Sequence, residues 1–352
     1  MVSAEIGGGS VFGRLPGGEP VEAFTLRSSG GMEARVIAFG GAIVSLRVPD
    51  RVGRVEDVVL GYDSLEGYLA DDAYFGSLIG RYANRIRDGR FSLDGVEHAL
   101  DVNNGSNHLH GGRRGFHKVL WKAEQADGAL TLAHSSADGE QGYPGALHAR
   151  VTYRLTDANE LVVDYAATAE RPTPVNLTQH SYFNLTGDPT RDILSHELQV
   201  EADFITPVDA TLIPTGELRP VEGTAFDFRR PAPIGARIDD GDAQLAHAGG
   251  YDHNFVLRRN GAGPSLAARV HDPASGRTLE VHTTEPGIQF YSGNFLDGGA
   301  RGKNGVRYAH RCGLCLEPQH FPDSPNHPAF PPVILRPGER YTSRTIYRFV
   351  TD

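Results

Sequence analysis

The feature that most constrains this chain is a strict two-residue alternation of apolar and polar side chains. Over residues 147–156 it reads Leu-His-Ala-Arg-Val-Thr-Tyr-Arg-Leu-Thr. Leu147, Ala149, Val151, Tyr153 and Leu155 fall on one side, and His148, Arg150, Thr152, Arg154 and Thr156 on the other. A helix would smear that pattern around its circumference, whereas an extended strand puts every second side chain on the same face. The spacing therefore predicts a half-buried strand, followed by turn chemistry at residues 157–160 and a return strand over 161–167. The same grammar recurs. Residues 91–96 read as a hairpin turning at Asp94-Gly95. Residues 34–39 and 42–48 flank a Gly-Gly, 266–270 and 278–282 flank Asp-Pro-Ala-Ser-Gly-Arg, and 341–350 read as a final strand. Helical periodicity is scarce, and 43 glycines and 22 prolines spread along the chain would interrupt long helices. The reading is an all-β chain, a large antiparallel β-sandwich with few short helices, forming a single domain over residues 1–352. Residues 1–19 are Gly-rich and are expected to be a weakly ordered start.

With 352 residues, such a domain can bury a large core without metals or disulfides. Cys312 and Cys315 are the only cysteines, too few for a disulfide-built scaffold. The formal charge of −10 and the absence of any basic run argue against nucleic acid or an anionic membrane as partner and favour a neutral small molecule. The first residues lack the basic and apolar regions of a signal peptide, and no stretch reaches the ~20 apolar residues of a membrane span. A cytoplasmic monomer or homodimer is expected.

Six segments carry more polar, aromatic and glycine residues than a strand needs. They are residues 80–86 (with Asn84 and Arg85), 103–112 (with His108 and His110), 174–185 (with His180 and Tyr182), 251–255 (with Asp252), 286–294 (with Gln289) and 312–323. Each has a structural explanation when taken alone. His108 and His110 would share a strand face and could form a metal pair, but no third ligand stands at a readable spacing. Cys312 and Cys315 would point to opposite faces of a strand. Asn84 and Asp252 suit turns. Glu317 is harder to explain that way, because it ends the apolar run Gly-Leu-Cys-Leu and a buried carboxylate is costly without a partner. Burial would raise its pKa from ~4.3 towards that of a working base. His180 follows a similar buried run, where Thr178, His180 and Tyr182 would share a face. A buried glutamate and a buried histidine are the materials of paired acid–base chemistry.

Taken together and in order, these segments, with residues 41–50 and 57–62, resemble the aldose 1-epimerase (galactose mutarotase) family over nearly the whole chain from about residue 40. The resemblance implies the galactose mutarotase-like supersandwich, with an open cleft on one face. It also implies interconversion of the α and β anomers of a free aldose without cofactor or metal. By the same resemblance Glu317 is the general base and His180 the general acid, entering protonated. Asn84, Arg85, His110, Tyr182, Asp252 and Gln289 are the sugar contacts. A hexose-6-phosphate 1-epimerase and a non-catalytic carbohydrate-binding protein on the same fold are the alternatives. The role of residues 140–143, in a Gly-rich loop, is open.

Overall fold

A computed structural model describes residues 5–352. Three antiparallel sheets of nine, six and five strands dominate it, with short two-stranded pieces between them. Leu147–Leu155 and Glu160–Ala169 lie near the middle of the nine-stranded sheet, beside the final strand Tyr341–Thr351. The predicted alternation holds residue by residue. Leu147, Ala149, Val151, Tyr153 and Leu155 are buried, while His148, Arg150 and Arg154 face solvent. Burying each large side chain of that inner row contributes about 1.5–3 kcal/mol. This is the force that selects the register, since a slip by one residue would turn the row outwards.

The hairpin at Asp94-Gly95 joins Arg90–Leu93 to Val96–Ala99. Both turn residues have positive φ, 50° and 81°, as a two-residue hairpin turn of this hand requires. The pairs Glu33–Ile37 with Ile43–Pro49, and Ser265–His271 with Arg277–Thr283, form as the sequence indicates. The Gly-rich start departs from expectation. From Glu5 to Arg14 it is a strand paired antiparallel with Pro20–Arg27, at the edge of the five-stranded sheet. Residues 1–4 lie outside the described residues. Backbone pairing supplies order that composition does not reveal. The two α-helices among the described residues, Leu65–Ala70 and Ala243–Ala248, have six residues each. No helix among the described residues is long and apolar enough to cross a membrane.

The six-stranded sheet decides where chemistry can occur. Its central strands are Asp252–Leu257, Gly287–Tyr291 and Leu314–Gln319, with Tyr182–Phe183 at one edge. Phe255, Ile288, Phe290, Leu314 and Leu316 face one way and join a single apolar core with Val151, Tyr153, Val163 and Tyr347 of the nine-stranded sheet. Phe183 packs on Tyr347 with ring centres 5.6 Å apart. The intervening positions turn the opposite way. Cross-strand pairing sets Asn254, Gln289 and Glu317 in one row, and Asp252, Tyr291, Cys315 and Tyr182 in the next. One face of this sheet is thus core, and the other is a patch of buried polar groups.

Candidate active site

That polar face floors a cleft of about 1060 Å³. Asn84, Arg85, His110, His180, Tyr182, Asp252 and Glu317 all line it. Seven of the eight residues singled out from sequence therefore meet in one place, although they come from five separate segments. The eighth, Gln289, is 3% exposed and is not among the lining residues. Its amide donates to Asp252 Oδ1 at 2.7 Å and its own oxygen receives the amide of Gln319 at 3.3 Å. In this arrangement it braces Asp252 from behind.

His180 sits where the chain changes sheets. Thr178–His180 pairs with Ser77–Ile79, and after Ser181 the chain pairs with Leu314 and Cys315 instead. The break in pairing turns His180 into the cleft, with Nε2 3.5 Å from Glu317 Oε2. Both side chains are at most 5% exposed. Arg85 Nη1 lies 3.6 Å from Asp252 Oδ2, and Arg85 Nε donates to Asn104 Oδ1 at 3.1 Å.

Asn84 and His110 hold each other. The His110 N–H donates to the Asn84 carbonyl at 3.2 Å, and the Asn84 N–H donates to His110 Nδ1 at 3.1 Å. Both residues have positive φ, 65° and 52°, a region uncommon for non-glycine residues but one in which asparagine and histidine are enriched. Since Nδ1 accepts, neutral His110 carries its hydrogen on Nε2 and offers the cleft a donor. His110, His180 and Glu317 each bring a ligand-type atom within 4.8 Å of the others, so a metal ion is the alternative occupant. The Asn84 bond opposes it, because a metal on Nε2 would require the hydrogen to move to Nδ1. His108 is not available as a second ligand. Its Nδ1 lies 2.6 Å from the Asp101 carbonyl and its Nε2 2.6 Å from the Tyr143 hydroxyl.

Burial sets the charge states. Desolvation pushes His180 down to about 4 and His110 well below the ordinary histidine value. Desolvation, reinforced by the negative charge of Asp252 and opposed by Arg85, pushes Glu317 well above the carboxylate range. Burial thus disfavours charge on both members of the pair, against the protonated His180 that the family resemblance implies. The low-dielectric floor penalises both charges.

Tyr74 and Phe295 also line the cleft, outside the segments singled out from sequence. Tyr74 lines the cleft at a φ of 63°, its ring 4.7 Å from both His110 and His117 and 5.7 Å from His180. Tyr291 and Phe295 stack at 5.8 Å and line the wall. Cys312 and Cys315 are free and buried, and Cys315 Sγ lies 3.6 Å from His180 Nδ1. Residues 140–143 do not line the cleft. Glu140 accepts from Ser136, and Tyr143 contacts His108.

Known proteins match this architecture and order of residues. The family described as aldose 1-epimerase matches residues 22–348. Galactose mutarotase of Rattus norvegicus is 52% identical over 341 residues, covering 97% of each chain. Aldose 1-epimerase of Escherichia coli K12 is 44% identical over 342 residues, covering 96% of this chain and 97% of that one. The solved structure of an aldose epimerase homologue from C. elegans superposes with a TM-score of 0.85 at 32% identity, covering 92% of this chain and 97% of that one. On the whole-chain family match and the identity of its relatives, the chain belongs to the aldose 1-epimerase family.

Proposed function

We propose that this chain interconverts the α and β anomers of free aldoses of the glucose and galactose type, by opening the sugar ring, turning the C1–C2 bond and closing the ring again. The observation that carries this reading is the His180–Glu317 pair, 3.5 Å apart on the floor of an open cleft. Anomer exchange removes a proton from the C1 hydroxyl and delivers one to the ring oxygen, and two adjacent groups sharing a proton can do both.

A pair holding one proton has two forms, imidazolium with carboxylate and neutral imidazole with carboxylic acid. Glu317 takes the C1 hydroxyl proton while His180 gives its Nε2 proton to the ring oxygen. This step converts the first form into the second as the C1–O5 bond breaks and the aldehyde appears. Burial favours the neutral form, so the environment that disfavours charge in the empty cleft stabilises the state reached on ring opening. After rotation about C1–C2 the C5 hydroxyl adds to the opposite face of the carbonyl, its proton returning to His180 while Glu317 returns a proton to the C1 oxygen. The Nε2–H of His110 and the guanidinium of Arg85 are donors for oxygens that gain charge. Asn84, Tyr182 and Asp252 serve the sugar hydroxyls, and Gln289 keeps Asp252 aimed. Each member of the pair is expected to contribute ~10²–10⁴-fold.

A phosphorylated sugar fits less well. The cleft is lined by Asp71, Asp72, Asp252 and Asp297 against the guanidinium groups of Arg85 and Arg301, and an excess of carboxylates repels a phosphate dianion. Polarimetry of freshly dissolved α-D-galactose and α-D-glucose tests the reading. Faster decay to the same final rotation, unchanged by chelator, supports it. No acceleration with any free aldose overturns it, and loss of activity on chelation overturns the metal-free mechanism.

A further inference from the structure

The two histidines of the cleft differ in what meets the inner ring nitrogen. On His110 it is the Asn84 N–H, which can only donate. That ring is held with its hydrogen on Nε2 and is a fixed donor. On His180 it is the Cys315 sulfur at 3.6 Å. A thiol sulfur accepts weakly as well as donating, so it tolerates a hydrogen on Nδ1. Nε2 faces the Glu317 carboxyl at 3.5 Å, so when the mobile proton rests on Glu317 the neutral ring carries its hydrogen on Nδ1, directed at the sulfur.

The fold makes the contact inevitable. Cys315 stands two residues before Glu317 on the same face of the Leu314–Gln319 strand, cross-strand from Tyr182, and is fully buried. One strand therefore carries both Glu317 and the group against which the His180 ring rests. We infer that Cys315 is a positioning residue, whose thiol holds the His180 ring in the tautomer and orientation that aim Nε2 at the Glu317 carboxyl. The inference rests on the acid–base reading of His180 and Glu317 given above.

The choice of sulfur has a chemical consequence. A carboxylate behind the ring, the usual orienting partner of a histidine, would favour the imidazolium and weaken it as an acid. The uncharged thiol fixes direction without adding charge, and burial pushes the Cys315 thiol well above its ordinary range, so it stays S–H. His180 then remains a strong acid once protonated, which suits a weakly basic ring oxygen. The other titratable groups around the ring are Glu317, His110, His117, Tyr74 and Tyr182. Among the described residues, none of them hydrogen-bonds Nδ1.

The test compares Cys315→Ala and Cys315→Ser with Glu317→Gln, measuring kcat, KM and the pH profile of kcat/KM by polarimetry. Partners that orient metal-bound histidines are worth about 10–100-fold, and the weaker thiol contact is expected to act at the low end of that range. Cys315→Ala is expected to lower kcat by about tenfold or more, to leave KM nearly unchanged, and to move the acid limb of the profile. Cys315→Ser is expected to recover most of kcat, because a hydroxyl accepts from Nδ1–H, and to move the acid limb to higher pH. A folded Cys315→Ala variant with wild-type kcat and acid limb overturns the inference, provided Glu317→Gln is inactive. Near-normal activity in Glu317→Gln instead overturns the acid–base reading itself. Where Cys315→Ala does not fold, ¹⁵N NMR of the wild-type histidines decides. A hydrogen on His180 Nδ1 supports the inference, and a bare Nδ1 overturns it.

Discussion

The shared proton of His180 and Glu317 makes a prediction that a mere list of important residues would not. Replace Glu317 by Gln, His180 by Asn, and then both. The two groups are 3.5 Å apart and jointly buried, so the proton that one releases and the proton that the other accepts belong to a single event. Each single substitution should lower kcat by ~10²–10⁴-fold, or about 2.7–5.4 kcal/mol of transition-state stabilisation at about 1.36 kcal/mol per decade. If the two acted independently, the double variant would fall by the product, ~10⁴–10⁸-fold. Because neither half of the exchange proceeds alone, the double variant should instead lie within about tenfold of the worse single one. Folding stability separates this loss from damage to the protein. Glu317 Oε2 is buried and has no hydrogen-bond partner among the described residues, and burial already penalises its charge. Exchange for a neutral amide should therefore leave the melting temperature no lower than wild type. The assay is the initial rate of change in optical rotation of α-D-galactose, corrected for spontaneous mutarotation, beside a thermal melt. Multiplicative losses in the double variant would refute the shared-proton mechanism, and a clear loss of stability in Glu317→Gln would refute the view that function is what strains this site.

Three further predictions follow from the same geometry. The pH profile of kcat/KM should be bell-shaped with a broad top, because the pair works while it holds one proton. The acid limb should fall near the value of about 4 to which desolvation holds His180, and the alkaline limb should lie well above the usual carboxylate range, because burial and Asp252 raise Glu317; a profile centred on pH 4–5 would contradict this assignment. Asp252→Asn should raise KM by more than Gln289→Ala does, since Gln289 acts through its 2.7 Å bond to Asp252; equal effects in steady-state kinetics would give Gln289 its own sugar contact. Behind the cleft, His320 Nδ1 lies 2.6 Å from Glu285 Oε2, and Glu285 also accepts from Tyr341 at 3.1 Å. His320 is raised by Glu285 against desolvation, and Glu285 is lowered by His320 against desolvation. Stability from the histidine is full below about pH 6.5 and is lost as pH rises through its raised value, and stability from the glutamate is full above about pH 4.5 and is lost on acidification. Glu285→Gln should therefore destabilise the protein by about 1–3 kcal/mol near pH 5.5 and by less at pH 9. Melts showing the same deficit at both values would exclude the ion pair.

Much of the architecture is legible in the chain itself. The alternation at 147–155 requires a strand with one dry face, because no other backbone geometry gathers those five apolar side chains, and Asp94-Gly95 supplies the two positive φ angles of a tight hairpin. Glu317 is suspect from sequence for a purely energetic reason, its place at the end of an apolar run. Tertiary structure decides what these residues become. His180 and Glu317 are 137 residues apart (317 − 180), and they meet because the chain leaves one sheet for another at Ser181 beside the Leu314–Gln319 strand. Local sequence carries no record of that crossing. The same holds for Tyr74 against the histidines, for Gln289 behind Asp252, and for residues 5–14 of the Gly-rich start, which pair with a neighbour's backbone and pack Phe12 against Tyr68. Protonation is the most tertiary property of all. Reference pKa values of ~6.5 and ~4.3 put a shared proton on His180 rather than Glu317, and burial disfavours that charged arrangement, because the cost of charge depends on surroundings assembled from the whole chain.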